Sequence, residues 1–133
     1  MITYELNFAR INLIRDDIAE VIIHDGIELN VAMVNEYHDF LITHLTPPFS
    51  LLINKVNSYT YDFDAQQTLA TIEHIKAMAV VAYKRSAVIT TEYLASQPRE
   101  KQWNLQIFSD RESAMHWLTT VQDSRRHLPE TTA

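Results

Sequence analysis

Residues 54–62 bring an amide, an ammonium, hydroxyls and two phenols together in one short stretch: Asn54, Lys55, Asn57, Ser58, Tyr59, Tyr61 and Asp62. Nine residues is longer than the usual link between a strand and the next helix. Long loops at strand ends are a common place for binding groups. Such a set could hold a small ligand or the polar edge of a partner. The plainer alternative is that Tyr59 and Tyr61 lid a sheet edge while the Asn and Ser side chains make local turn bonds.

Two other stretches carry reactive side chains. Lys84-Arg85-Ser86 places two cations just ahead of a helix, an arrangement suited to a phosphate or carboxylate; the same residues serve equally as a solvated loop. His24, Asp25 and Ser58 contain the groups of a Ser-His-Asp hydrolase. The chain has no G-x-S-x-G elbow to present the serine, and His24-Asp25 also reads as a turn. Of the six histidines, His38 and His44 stand roughly 240° apart around a helix. His74, His116 and His127 fall on other elements. No metal, cofactor or catalytic site is therefore expected, and His38 is expected as a hydrogen-bonded core residue. Trp103 and Trp117 are expected to pack in a core or interface.

Composition removes further classes. The chain of 133 residues is 47% apolar and 21% charged, enough for one domain with its own core. It has no cysteine, which excludes disulfides and thiolate chemistry. A single glycine, Gly26, excludes the P-loop and G-x-G-x-x-G turns in their standard form. A net charge of −6 disfavours nucleic acid and anionic membrane surfaces as partners. The start of the chain lacks a basic n-region and a long apolar run, and residues 77–83 fall well short of the ~20 a spanning helix needs. A soluble cytoplasmic protein without a transmembrane segment is expected.

These groups need a scaffold, and the hydrophobic pattern supplies one. Alternation at 4–9 predicts a strand, with 10–14 open to the same strand, and the β-branched run 18–24 predicts a second. Asn30 caps a helix whose stripe is Val31, Val34, His38, Leu41 and Leu45, stopped by Pro47 and Pro48. Residues 49–54 and 77–83 read as buried strands, and 104–108 as a last strand. Helices are expected after Asp64, with Gln67 completing a capping box, over 87–94 after Ser86, and after Ser109 with Glu112. In the last, Ala114, Leu118 and Val121 face inward, while Arg125, Arg126 and His127 complement the helix C-terminus. The reading is one α/β domain over 1–128 with a flexible tail at 129–133. In such sheets ligands sit beyond the carboxyl ends of the strands, which nominates 24–26, 54–62, 84–86 and 109–110.

This β-β-α-(β-α)₃ order, with Ile75-Lys76-Ala77-Met78-Ala79-Val80-Val81 and the run from Leu105-Gln106-Ile107-Phe108-Ser109-Asp110 to Trp117-Leu118, resembles the SpoIIAA-like (STAS-type) proteins. The resemblance implies a largely parallel sheet of about five strands with helices mainly on one face, an architecture shared with lipid-binding Sec14-type domains. It also implies a switch serine, following an aspartate, at the start of the helix after the third strand. Asp62 matches that aspartate, but Phe63 occupies the serine's place, so the phospho-switch does not carry over. The function expected is a non-enzymatic regulatory or protein-interaction module, with a protein partner and a homodimer both open. The alternative is a small-molecule or lipid carrier using the edge at the strand ends.

Overall fold

The computed structural model describes residues 1–124; Arg125, Arg126, His127 and the tail at 129–133 lie outside the described residues. In chain order the elements are β1 (Ile2–Glu5), β2 (Ala9–Arg15), β3 (Ile18–Ile23), β4 (Glu28–Leu29), α1 (Val31–His44), β5 (Phe49–Lys55), β6 (Thr60–Tyr61), α2 (Phe63–Thr68), β7 (Ile75–Ala82), α3 (Arg85–Ser96), β8 (Leu105–Phe108) and α4 (Arg111–Asp123). Six strands form one mixed sheet in the order β1-β2-β3-β5-β7-β8, and β4 pairs with β6 in a small separate sheet.

The β1–β2 and β2–β3 pairings are antiparallel, and β3–β5, β5–β7 and β7–β8 are parallel. From β3 onward the strands advance in one direction. Right-handed crossovers along such a series put their helices on one face, and α1, α2 and α3 accordingly share a side. α4, the last element among the described residues, packs on the opposite face, where Ala114 and Leu118 meet Leu52, Ala77, Ala79 and Val81. Alternation along β5 and β7 divides the apolar side chains between the faces: Leu51, Ile53, Met78 and Val80 lie under the three helices. Each such side chain, fully buried, contributes about 1.5–3 kcal/mol of transfer free energy.

The strand expected at 4–9 is two strands. Leu6 N–H donates to Ala9 O at 2.8 Å and the chain reverses at Asn7 and Phe8 without glycine or proline. Phe8 is then fully buried and its carbonyl accepts from His24 N–H at 2.9 Å. A hydrophobic residue that must be buried at a turn looks, in sequence, like one more step of alternation. This adds the sixth strand.

Three helix starts also differ from the expected ones, for local reasons. Asp62, not Asp64, caps α2, its Oδ1 accepting from Ala65 N–H at 2.8 Å. Its own N–H is tied to Leu29 O at 2.9 Å by the β4–β6 pairing, so the chain leaves the extended state there. Asp110, not Ser109, caps α4, taking Ser113 N–H on one oxygen and Ser113 Oγ–H on the other. Lys84, with no side-chain cap bond, begins α3 because its carbonyl accepts from both Ala87 and Val88, which leaves Ser86 inside the first turn. Asn30 does cap α1, accepting from Met33 N–H at 2.9 Å.

Candidate functional site

Between the sheet and its three-helix face lies a narrow, almost wholly apolar chamber at the carboxyl ends of β3 and β5. Val21, Ile53, Met78 and Val80 form its floor. Val34 and Tyr37 of α1 and Leu94 of α3 form two walls, and Trp103 a third. Trp103 is fixed by donating Nε1–H to Ala70 O at 3.1 Å and by the Arg99 guanidinium, 3.7 Å above its ring. Its volume is about 50 Å³. At roughly 10–15 Å³ for each water-sized sphere, that is space for about four waters or a few linked heavy atoms.

Lys55 ends β5 in the same phase as Leu51 and Ile53, so its side chain enters the chamber from the strand end. Nζ lies 5.5 Å from the ring centroid of Tyr59 and 5.7 Å from that of Tyr61. Among the described residues, no hydrogen bond or ion pair reaches this nitrogen. Ring faces return part of the lost solvation of a cation, but burial still pushes the Lys55 ammonium down to about 8. The Tyr59 and Tyr61 rings meet edge to face at 5.6 Å, with their hydroxyls 3.5 Å apart. Burial raises all three chamber phenols, Tyr61 to about 12 and Tyr37 and Tyr59 further, so each keeps its proton at neutral pH. The site is thus a weakened ammonium, three protonated phenols and an apolar floor.

The remaining polar groups of the long loop build the lid. Gly26, at φ +80°, turns the chain so that its N–H donates to Ser58 O at 2.7 Å. Ser58 N–H donates to Asp25 Oδ1 at 2.9 Å, and Asn57 Nδ2–H to Ile23 O at 2.9 Å. Thr60 N–H and Asp62 N–H then donate to Ile27 O and Leu29 O, which is the β4–β6 sheet. Asp25, Asn57, Ser58 and Asp62 therefore fasten the chamber's cover.

The structure disperses the other candidates. His24 lies 3.4 Å from the Glu5 carboxylate, which also pairs with Arg10. Lys84, Arg85 and Ser86 are exposed at the start of α3 and do not line the chamber. Asn54, next to Lys55, necessarily points to the other face of the sheet. There its Nδ2–H donates to Glu20 at 2.9 Å and its Oδ1 accepts from Tyr83 O–H at 2.8 Å. Glu20 also accepts from Asn12 and, through both oxygens, from Arg111. Burial alone would raise the Glu20 carboxyl, but its bonds to Arg111, Asn54 and Asn12 outweigh that and hold it below its ordinary value. This cluster went unnominated, although a lone acid inside the apolar run Ile18–Ile23 must find a partner.

His38 is buried and its Nε2 accepts from Ala70 N–H at 3.1 Å, which makes it a fastening between α1 and the chain after α2. Tyr37 and Trp103 complete the chamber from α1 and from the approach to β8; periodicity marks them as core but gives no hint of a shared cavity. A wider groove of about 710 Å³ runs along residues 67–78 and 98–104 at the opposite end of β7 and β8. Its lining mixes polar and apolar groups and includes Arg99, whose guanidinium is pushed below its ordinary pKa by burial. No cluster of three or more His, Cys, Asp or Glu side chains forms among the described residues, and no described helix is long and apolar enough to cross a membrane. The chain matches no protein-family model, no curated protein and no solved structure.

Proposed function

We propose that this chain is a binding module for a small, mainly apolar molecule that ends in a carboxylate or carbonyl group. One observation carries the reading: the Lys55 ammonium faces an apolar chamber with two ring faces and no acceptor as its neighbours. A half-buried cation, stripped of part of its water, gains from an oxygen acceptor delivered on an apolar body. The chamber's volume, about 50 Å³, favours a short chain of branched or linear carbons over a drug-sized ligand.

This places the carrier reading above that of a bare protein-interaction module. The SpoIIAA-like resemblance is proposed alongside it, supported by the alternation of strands and helices after β3. A phosphorylation switch gains no support, because Phe63 stands 73% exposed in the first turn of α2, where that family's serine would be.

Isovalerate is a suitable probe, titrated against methyl-labelled protein by NMR. The expected result is saturable shifts at Val34, Met78, Val80 and Leu94 that vanish in Lys55→Met. Shifts scattered over exposed methyls, or none at all, would overturn the reading.

A further inference from the structure

We infer that Lys55 is also a nucleophile, forming a reversible imine with a short-chain aldehyde held in the chamber. The inference rests on the binding reading above and adds covalent chemistry to it.

An amine attacks a carbonyl carbon only when its lone pair is free and the carbonyl is held nearby. Lys55 moves toward the first condition, since no carboxylate or carbonyl among the described residues stabilises its protonated form. The chamber meets the second. An aldehyde's alkyl group placed over Ile53, Met78 and Val80 has one polar end to offer, and the strand end puts Lys55 and the two phenols at the mouth. Nζ forms a bond to the carbonyl carbon while a proton passes from nitrogen to the carbonyl oxygen, giving a carbinolamine. The C–O bond then breaks as a phenol gives the oxygen a second proton and water leaves; the proton remaining on nitrogen returns to the phenolate, and a C=N bond remains on Lys55. Tyr59 and Tyr61, both protonated at neutral pH, are oxygen-bound proton donors in the same space. No oxidant or reductant is required.

The chain's other lysines lack this setting. Lys76 donates to Gln122 O at 3.1 Å, and Lys84 and Lys101 are exposed. Burial also lowers the Lys55 ammonium to about 8 from 10.5, which raises its neutral share at pH 7 roughly three-hundredfold over a solvated lysine.

The test incubates the full chain with isovaleraldehyde at pH 7 and sodium cyanoborohydride, followed by peptide mapping. Reduction fixes the imine as a gain of the aldehyde's mass less one oxygen. The expected result is labelling of Lys55 at least roughly tenfold above Lys84 and Lys101, since intrinsic nucleophilicity falls along with pKa and takes back part of the gain. Lys55→Arg keeps a cation without a nucleophile and should lose that label. The wild-type map decides the matter alone if the variant does not fold. Labelling that follows exposure, with Lys55 spared while isovalerate still shifts the chamber methyls, overturns the imine and leaves the binding reading standing. If Lys55 is spared and isovalerate shifts nothing, both fall.

Discussion

Arg111 lays its guanidinium against Glu20, 91 positions away in the chain, with Nε 2.9 Å from one carboxylate oxygen and Nη2 3.0 Å from the other. This two-pronged bond ties the first turn of α4 to the buried middle of β3. Truncating Arg111 to Met would leave Glu20, only 4% exposed, with two amide donors and no countercharge. Breaking a buried pair costs several kcal/mol, and the 44% exposure of the Arg111 side chain places this one near the lower end, about 2–3 kcal/mol. Urea denaturation of R111M checks it. Replacing Glu20 by Leu in the same background should recover most of the loss, because an apolar partner needs no countercharge.

Acid should weaken the fold in two separable steps. His38 is held neutral by burial, its pKa below 6.5, and the neutral ring accepts from Ala70 N–H. The unfolded chain therefore binds that proton first, and stability is lost as pH falls below about 6.5. Glu20 is held below 4.5, so its contribution is intact above that value and disappears as pH falls through the lower folded one. A series of urea midpoints from neutral to acid pH should show both descents. His38→Gln, which keeps an acceptor but does not titrate, should lose only the upper one.

The lid depends on one backbone conformation. Gly26 sits at φ +80°, and a Cβ added there would meet nothing within 4 Å, so Gly26→Ala tests backbone strain alone. A residue forced into that region costs about 1–2 kcal/mol. The cost should fall on the lid before the sheet, through the bond to Ser58 O. Amide exchange of Thr60 and Asp62 should quicken while that of Val80 in β7 stays slow. Equal quickening throughout would mean that the lid does not open independently.

What could be read in advance follows from how far each signal reaches along the chain. The 54–62 loop is conspicuous by its own length and composition, so Lys55, Tyr59 and Tyr61 are within reach of sequence. Which neighbour enters the chamber is not. Leu51, Leu52 and Ile53 are apolar on both faces of β5, so nothing local separates Lys55 from Asn54. The Glu20–Arg111 pairing and the Trp103 wall join residues far apart in sequence, and only the folded sheet brings them together. The helix starts fail for a subtler reason: at both α2 and α4 two nearby residues are competent caps, and the choice follows from where the preceding strand releases the chain.

Lys55 makes its own prediction in alkali. The folded chain gives up this proton near 8, whereas the unfolded one holds it to 10.5. Between those values the unfolded state binds more protons, so stability rises with pH across the window. The three chamber phenols act in the opposite direction, since burial raises them all, and above about 10 they bring stability down again. The wild-type chain should therefore show a stability maximum on the alkaline side, read as urea midpoint against pH. Lys55→Met removes the half-buried cation but keeps a long apolar side chain. At pH 7 it should be more stable than wild type by about 1–2 kcal/mol, an exchange of function for stability of the kind seen at binding sites. Its profile should be flat between 8 and 10 and then fall with the phenols. A variant less stable than wild type at pH 7, with an unchanged alkaline rise, would show that the Lys55 ammonium is solvated and that the chamber does not hold it.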